Sequence, residues 1–301
     1  MTSPAMLWLA LWAVLTSAVA AQSPGLKSPA TFVDCRGEKT ASPTVVLEAG
    51  AFGTSADWSL VLDDLAPGGR TCAYDRAGLG RSLPNAGGVD AIARARQLAA
   101  LLDELGETGP VILVGHSNGA LYAEAFARLW PARTAGLVLV NGVGSDDLER
   151  PALLKALRQE RRLAGDTVIA AQLGLAPLLA HVLTADQGLT GPAAARKRAA
   201  LTCQPCLRVA RDEDQQVIPG LSAVAALPPL DRTIPVAVIT GDPDPSWRLP
   251  REWREAETAP ARRAAHAWVL EAPGASHVSP LARDRAYVDA ALAWLRSAYP
   301  H

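Results

Sequence analysis

The pattern of elements places this chain in the α/β class, with a mostly parallel sheet covered by helices on both faces. Three observations predict it. Short β-branched segments alternate with helical patterns along most of the chain. One apolar run, Val111-Ile112-Leu113-Val114, leads directly into Gly115-His116-Ser117-Asn118-Gly119 and then into a helix-like stretch. The alternation stops between Val140 and Pro235, where roughly 90 residues rich in Ala, Leu and Arg carry helical patterning without a strand. At 301 residues, 49% hydrophobic and 20% charged, the chain is long enough for one such domain with an insertion.

The first element is a leader. Residues 6–21 are almost wholly apolar and end in the small-x-small pattern Ala18-Val19-Ala20, so a secretory signal is expected over residues 1–21. Residues 1–5 carry no Lys or Arg, which leaves only the amino terminus to supply positive charge. An uncleaved N-terminal membrane anchor is the alternative, although the run is short of the ~20 residues needed to span a bilayer. Charges or prolines interrupt every later apolar run, so no stable membrane insertion is expected once the signal is cleaved. The location that follows is secreted or periplasmic.

A Pro/Ser/Gly-rich linker fills residues 22–30, and the core is expected over 31–143 and 231–301. Its strand candidates are residues 44–47, 71–74, 111–114, 137–140, 236–240 and 268–270, each short enough for one buried strand. Between them, residues 90–105 put Ile92, Ala95, Ala99 and Leu102 at helical spacing with Arg94, Arg96 and Asp103 on other faces, and Gly106 closes the helix. A second helix spans 120–130 and stops at Pro131, and a last one is expected over 281–297. The interrupted region, 144–230, reads as an inserted helical cap over the carboxyl ends of the strands, where open α/β sheets bind ligands.

Charge narrows the partners. A formal net charge of −1, with no basic run interleaved with aromatics, gives no footprint for nucleic acid. A small molecule is the expected partner. The four cysteines, an even number, suit an oxidising compartment. Cys203 and Cys206 form a lone C-x-x-C with no second pair or nearby His for zinc and no thioredoxin-like βαβ around it, which favours a local disulfide over a metal or redox centre. Two unpaired thiols in the cap are the alternative, and no metal site is expected.

The five residues centred on Ser117 meet the requirement of a nucleophile elbow: a strand, a turn so tight that the positions two before and two after lack bulk, and a helix. Ser117 then stands at a helix head, where its hydroxyl can attack a carbonyl while the Asn118 N–H points at the oxyanion formed. A serine nucleophile needs a base and the base an orienting acid. The strand 236–240 runs into Gly241-Asp242-Pro243-Asp244-Pro245, and Asp244 is the preferred acid with Asp242 second. His277 follows the last strand in the small-residue loop Gly274-Ala275-Ser276-His277 and is the expected base. His116 is expected to pack or hydrogen-bond beneath the elbow, and His181, His266 and His301 read as cap or surface residues.

The second oxyanion donor should come from the loop Glu48-Ala49-Gly50-Ala51-Phe52-Gly53. Ala51 is the expected donor, with Phe52 as the alternative donor or a pocket wall. Trp58 and Trp247 lie near these loops and are candidates to line an apolar pocket, against the alternative that they simply pack in the core.

These segments together resemble the α/β-hydrolase superfamily, specifically its bacterial branch with Val46-Leu47-Glu48-Ala49-Gly50 in place of the more usual His-Gly at the oxyanion loop. The resemblance covers most of the chain. It rests also on Tyr74-Asp75-Arg76-Ala77-Gly78-Leu79-Gly80-Arg81-Ser82, on the elbow, on Gly241 to Asp244 and on Ser276-His277. It implies an eight-stranded, mostly parallel sheet, a Ser-Asp-His triad and an acyl-enzyme mechanism without cofactor. It also implies that the strands bearing Cys35 and Cys72 are neighbours, hence a Cys35–Cys72 disulfide, and that Asp75 and Arg76 are structural. Relatives that open epoxides or carbon–halogen bonds carry Asp at the elbow, so Ser117 points away from them. Some members take their acid from the strand after the elbow, where this chain has Asn141, with Asp146 and Asp147 close by. The expectation is a serine hydrolase of carboxylic esters. An acyltransferase or an amide or C–C bond hydrolase with the same triad, or a binding protein that keeps the fold, are the alternatives.

Overall fold

The computed structural model describes residues 30–142, 144–145, 151–241 and 251–298. Seven strands form one sheet: β1 (Val33–Arg36), β2 (Val45–Glu48), β3 (Thr71–Tyr74), β4 (Val111–His116), β5 (Thr134–Val140), β6 (Val236–Gly241) and β7 (Ala267–Ala272). Their order across the sheet is β1-β3-β2-β4-β5-β6-β7. Every neighbouring pair is parallel except β1 and β3. The count among the described residues is therefore seven rather than eight, with a single antiparallel edge strand, β1, beside the parallel set.

Both faces of the sheet are covered, which is why the strands read as unbroken apolar runs. Along β4, Val111 and Leu113 join one core layer while Ile112 and Val114 join the other. The same alternation holds along β2, along β5 from Leu137 onward and along β6, as side chains on a strand point to opposite faces in turn. The first layer packs against α2 (Ala91–Glu104) and α3 (Asn118–Leu129), through Ala95, Leu98, Leu102, Leu121 and Phe126. The second packs against α1 (Ser59–Leu65) and α11 (Ala286–Ala298), through Val61, Leu62, Val288 and Leu292.

The helix over 90–105 forms as its pattern requires. Asp90 is its N-cap, accepting the Ala93 N–H at 2.9 Å, and Gly106 takes a positive φ of 69° just past the end. Arg94, on another face of this helix, is buried as well: it is 1% exposed and bonded to a carboxylate from another helix. The last helix begins at Ala286 rather than 281, since Ser279-Pro280-Leu281 forms a separate 3₁₀ turn.

Between β5 and β6 stand α4 (Pro151–Ala170), α5 (Ala176–Gln187), α6 (Gly191–Thr202), α7 (Gln204–Gln215) and α8 (Val217–Ala225), with no strand among the described residues. Helix α8 packs on α2 and α3 and so belongs to the core layer, while α4 to α7 pack on one another. The helical run Leu153–Gln187 is apolar and long enough to cross a bilayer by length and composition. This differs from the expectation that charges and prolines rule out such a run after the leader. Within it, Gly174 at φ 100° kinks the helix and Pro177 lies in the first turn of α5, so the run bends, with α4 packing on α7 and α5 on α6. Leu173, Leu178 and Val182 remain exposed along it.

Two disulfides are formed. Cys35–Cys72 joins residues that face each other across β1 and β3, and Cys203–Cys206 closes the start of α7. Both suit an oxidising compartment. The helix 251–263 before β7 is split into α9 (Arg251–Glu257) and α10 (Ala259–Arg263). The leader over 1–21, nearly all of the linker 22–30, Asp146, Asp147, Asp242, Asp244, Trp247 and His301 lie outside the described residues.

Candidate active site

The carboxyl ends of β2, β4, β5, β6 and β7 converge on one side of the sheet. At the end of β4 the chain turns through Ser117, whose φ of 52° and ψ of −121° are strained for a residue with a side chain. Such a conformation costs about 1–3 kcal/mol and persists only where the surroundings enforce it. Here Ser117 N–H donates to Val140 O at 3.0 Å, and Ser117 O accepts from Ala120 N–H at 3.0 Å. A Cβ on Gly119 would collide with the carbonyl of Glu48, so glycine lets the elbow sit against β2. Ser117 is partly exposed and Asn118 opens α3, whose first N–H groups have no partner within the helix.

The loop after β2 passes directly over the elbow. A Cβ on Gly50 would lie 2.8 Å from His116 Nδ1 and 3.0 Å from Ser117 Cβ, so only glycine permits the approach. Among the described residues neither Ala51 N–H nor Phe52 N–H makes a hydrogen bond. Phe52 itself holds a positive φ of 56°.

His277 lies in the loop after β7. That loop is fixed by Ser276 N–H donating to Ser279 Oγ at 2.9 Å and Ser279 N–H donating to Ser276 Oγ at 3.2 Å. The carbonyl of His277 accepts from His116 Nε2 at 2.9 Å and from Asn141 Nδ2 at 2.9 Å. Because a carbonyl can only accept, His116 carries its proton on Nε2. Burial, reinforced by the neighbouring His277, holds the His116 imidazole well below its ordinary value and therefore neutral. Burial likewise pushes His277 down to about 4. His116 thus lies where the sequence puts it, bonded beneath the elbow.

Ser117, His277, Ala51 and Phe52 all line one cavity of about 310 Å³. Its remaining wall is mainly apolar, drawn from the insertion through Leu163, Val168, Leu179, Leu183 and Leu207. Asp214 of α7 reaches the same cavity beside the Asn118 side chain, and burial raises its carboxyl above the usual range. Trp58 does not line it. The indole is fully buried in the core layer with Val45, Leu47 and Val61, which the sequence left open as the alternative. Trp247 and the acid candidates Asp244 and Asp242 fall outside the described residues, so no carboxylate is placed on His277 here.

Sequence reasoning missed the ionic groups that frame the cavity. Lys197 of α6 lines it and is 7% exposed, with Nζ 2.7 Å from Asp57 Oδ1 and donating to Phe52 O at 2.9 Å. Arg76, read from sequence as structural, is buried against Glu48 at 2.8 Å and Glu213 at 2.7 Å. Among the described residues no group of three His, Cys, Asp or Glu could hold a metal ion.

A family model described as "Alpha/beta hydrolase family" matches residues 45–290, so the chain belongs to that family. It is 41% identical over 99 residues to a putative carbamate hydrolase RutD of Variovorax paradoxus, covering 32% of this chain and 37% of that protein. The chain spans only 13% to 38% of the length of the curated relatives it matches. Among solved structures it resembles a thermophilic esterase from Thermogutta terrifontis, with a TM-score of 0.63, 25% identity, and coverage of 90% of this chain and 94% of that one. A putative epoxide hydrolase from Pseudomonas aeruginosa gives a TM-score of 0.66 at 21% identity, covering 90% and 94% of the two chains, and shares the fold.

Proposed function

We infer that this member of the α/β hydrolase family is a serine hydrolase of carboxylic esters, acting outside the reducing cytosol. The observation that carries the reading is the strained Ser117 at the strand-to-helix turn, facing the same cavity as the neutral imidazole of His277. A neutral imidazole can take the serine proton as the hydroxyl attacks the ester carbonyl, and return it to the departing alcohol. The tetrahedral oxyanion needs donors, and the free N–H groups of Ala51 and Asn118 are the ones proposed, with Phe52 N–H beside them. Water then attacks the acyl-enzyme by the same route in reverse. Asp244 is the proposed acid on the second imidazole nitrogen. The apolar wall of the cavity supports esters with an apolar acyl or alcohol group over highly charged ones.

The test is reaction of the purified protein with a fluorophosphonate, followed by peptide mass spectrometry, with Ser117→Ala and His277→Ala alongside. Labelling on Ser117 that disappears in the first variant and slows steeply in the second is the expected result. Absence of labelling in a folded protein, or full esterase turnover by Ser117→Ala, rejects the reading.

A further inference from the structure

Three carbonyls of the loop after β2 are gripped by cations, and both grips lead to the inserted helices. Arg76 Nη1 donates to Ala49 O at 2.5 Å and Nη2 donates to Gly50 O at 2.9 Å. The same guanidinium is held by Glu213 of α7, with Nε to Oε1 at 2.8 Å and Nη2 to Oε2 at 2.7 Å. Glu213 is fully buried and takes a second cation, Arg94 Nη2, at 2.7 Å. From the other side, Lys197 of α6 donates to Phe52 O at 2.9 Å while pairing with Asp57. Asp57 accepts the Thr54 N–H at 2.6 Å, which ties down the far end of the loop.

Planarity of the peptide group turns this grip into an orientation. In a trans peptide the C=O of one residue and the N–H of the next point in opposite directions from one plane. The carbonyl of Gly50 is drawn toward Arg76, so the N–H of Ala51 must point the other way. Phe52 O, fixed by Lys197, anchors the following plane. That plane ends in the Gly53 N–H, which donates to Gly50 O at 3.1 Å, so the bonds from Arg76 and Lys197 converge on the one peptide whose other edge is the free Ala51 N–H.

We propose that Lys197 and the Glu213–Arg76 pair are positioning residues for the Ala51 oxyanion donor, so that seating of helices α6 and α7 and assembly of the oxyanion hole are one event. The proposal rests on the serine-hydrolase reading. It adds that the insertion controls the turnover step itself as well as shaping the pocket. None of the three residues needs to touch the substrate for this role.

Kinetics on an activated ester separate this from simple structural support. The paired substitution Lys197→Met with Asp57→Asn removes the bond to Phe52 O, keeps the buried site neutral, and retains an acceptor for Thr54 N–H. It should lower kcat about tenfold or more, somewhat less than the loss of a whole oxyanion donor. KM should stay within about threefold, because the apolar walls that bind substrate are untouched. The rate of Ser117 phosphonylation should fall in step. Glu213→Gln, which keeps an acceptor for Arg76, should act in the same direction, and Lys197→Arg should restore most of kcat. A folded paired variant with wild-type kcat overturns the proposal, as does a loss confined to KM or to thermal stability. If Ser117 in the unmodified protein hydrolyses ester and labels normally while the variants do too, only the clamp fails; if it never labels, the hydrolase reading fails and the clamp with it.

Discussion

The imidazole beside Ser117 holds the backbone of His277: His116 Nε2 donates to the carbonyl oxygen of His277 at 2.9 Å, with the two rings 4.8 Å apart. Replacing His116 by Ala leaves that carbonyl with the Asn141 bond alone and opens space beneath the elbow. The expected outcome is a fall in kcat of up to about tenfold, with a folded protein by circular dichroism, since one lost hydrogen bond costs about 0.5–1.5 kcal/mol. Unchanged kcat would show that the His277 loop does not depend on this bond.

Asn141 performs the same task from the next strand. Its Nδ2 donates to His277 O at 2.9 Å and its Oδ1 accepts the Gly241 N–H at 2.7 Å. Asn141→Asp keeps the acceptor for Gly241 and loses the donor for His277, placing oxygen against oxygen. Stability by urea unfolding should fall by about 1–3 kcal/mol and kcat should fall with it. The position is therefore structural, and an aspartate there should not rescue Asp244→Asn.

The acid limb of the pH–rate profile reports on the acid partner. Catalysis needs neutral His277, so kcat/KM is lost as pH falls through the imidazole pKa. Burial sets that value at about 4. A carboxylate against the ring raises it. The limb of the unmodified enzyme is expected above pH 4, and Asp244→Asn should move it down toward 4 while lowering kcat. A limb that Asp244→Asn leaves in place removes Asp244 from the triad, and the same comparison on Asp242, Asp146 and Asp147 then finds the acid.

Glu257 makes stability depend on pH in the opposite sense to most carboxylates. It is buried, accepts the Trp253 Nε1–H at 2.9 Å, and burial pushes its carboxyl up to about 7 from 4.5. The folded protein keeps a proton that the unfolded chain releases above 4.5. The stabilisation from this group is full below that value and lost as pH rises through about 7. Glu257→Gln should match the parent near pH 5 and exceed it at pH 8, by at most about 3 kcal/mol in urea unfolding. An equal offset at both pH values rejects the assignment.

How much of this could be read from sequence depends on where the partners lie. The sheet was legible because strands covered on both faces must be apolar throughout, and the elbow because its geometry restricts residue type at fixed spacing. The Cys35–Cys72 bridge followed once the neighbouring strands were implied. The ionic grip was not legible. Glu213 sits in the most charged stretch of the insertion, between Asp212 and Asp214, and only a partner 137 residues away makes it buried. The burial of Arg94 was not legible for the same reason: helical spacing locates the face turned to the sheet, and says nothing of a second helix laid across another face. Trp58 erred the other way, since proximity in sequence to the oxyanion loop does not distinguish a side chain pointing into the cavity from one pointing beneath it.

The short cystine at Cys203–Cys206 gains a meaning from its position. Cys203 is the hinge between α6 and α7, the two helices that carry Lys197 and Glu213, and its sulfur also accepts the Cys206 N–H at 3.2 Å. Neither the elbow nor the parallel part of the sheet includes this bond, whereas the other cystine, Cys35–Cys72, ties the antiparallel edge strand β1 to β3. A chain made where thiols stay reduced would lack the staple at the corner from which both grips on the oxyanion loop extend. Three residues of spacing thus place a covalent link at the junction of the two helices that hold the loop after β2.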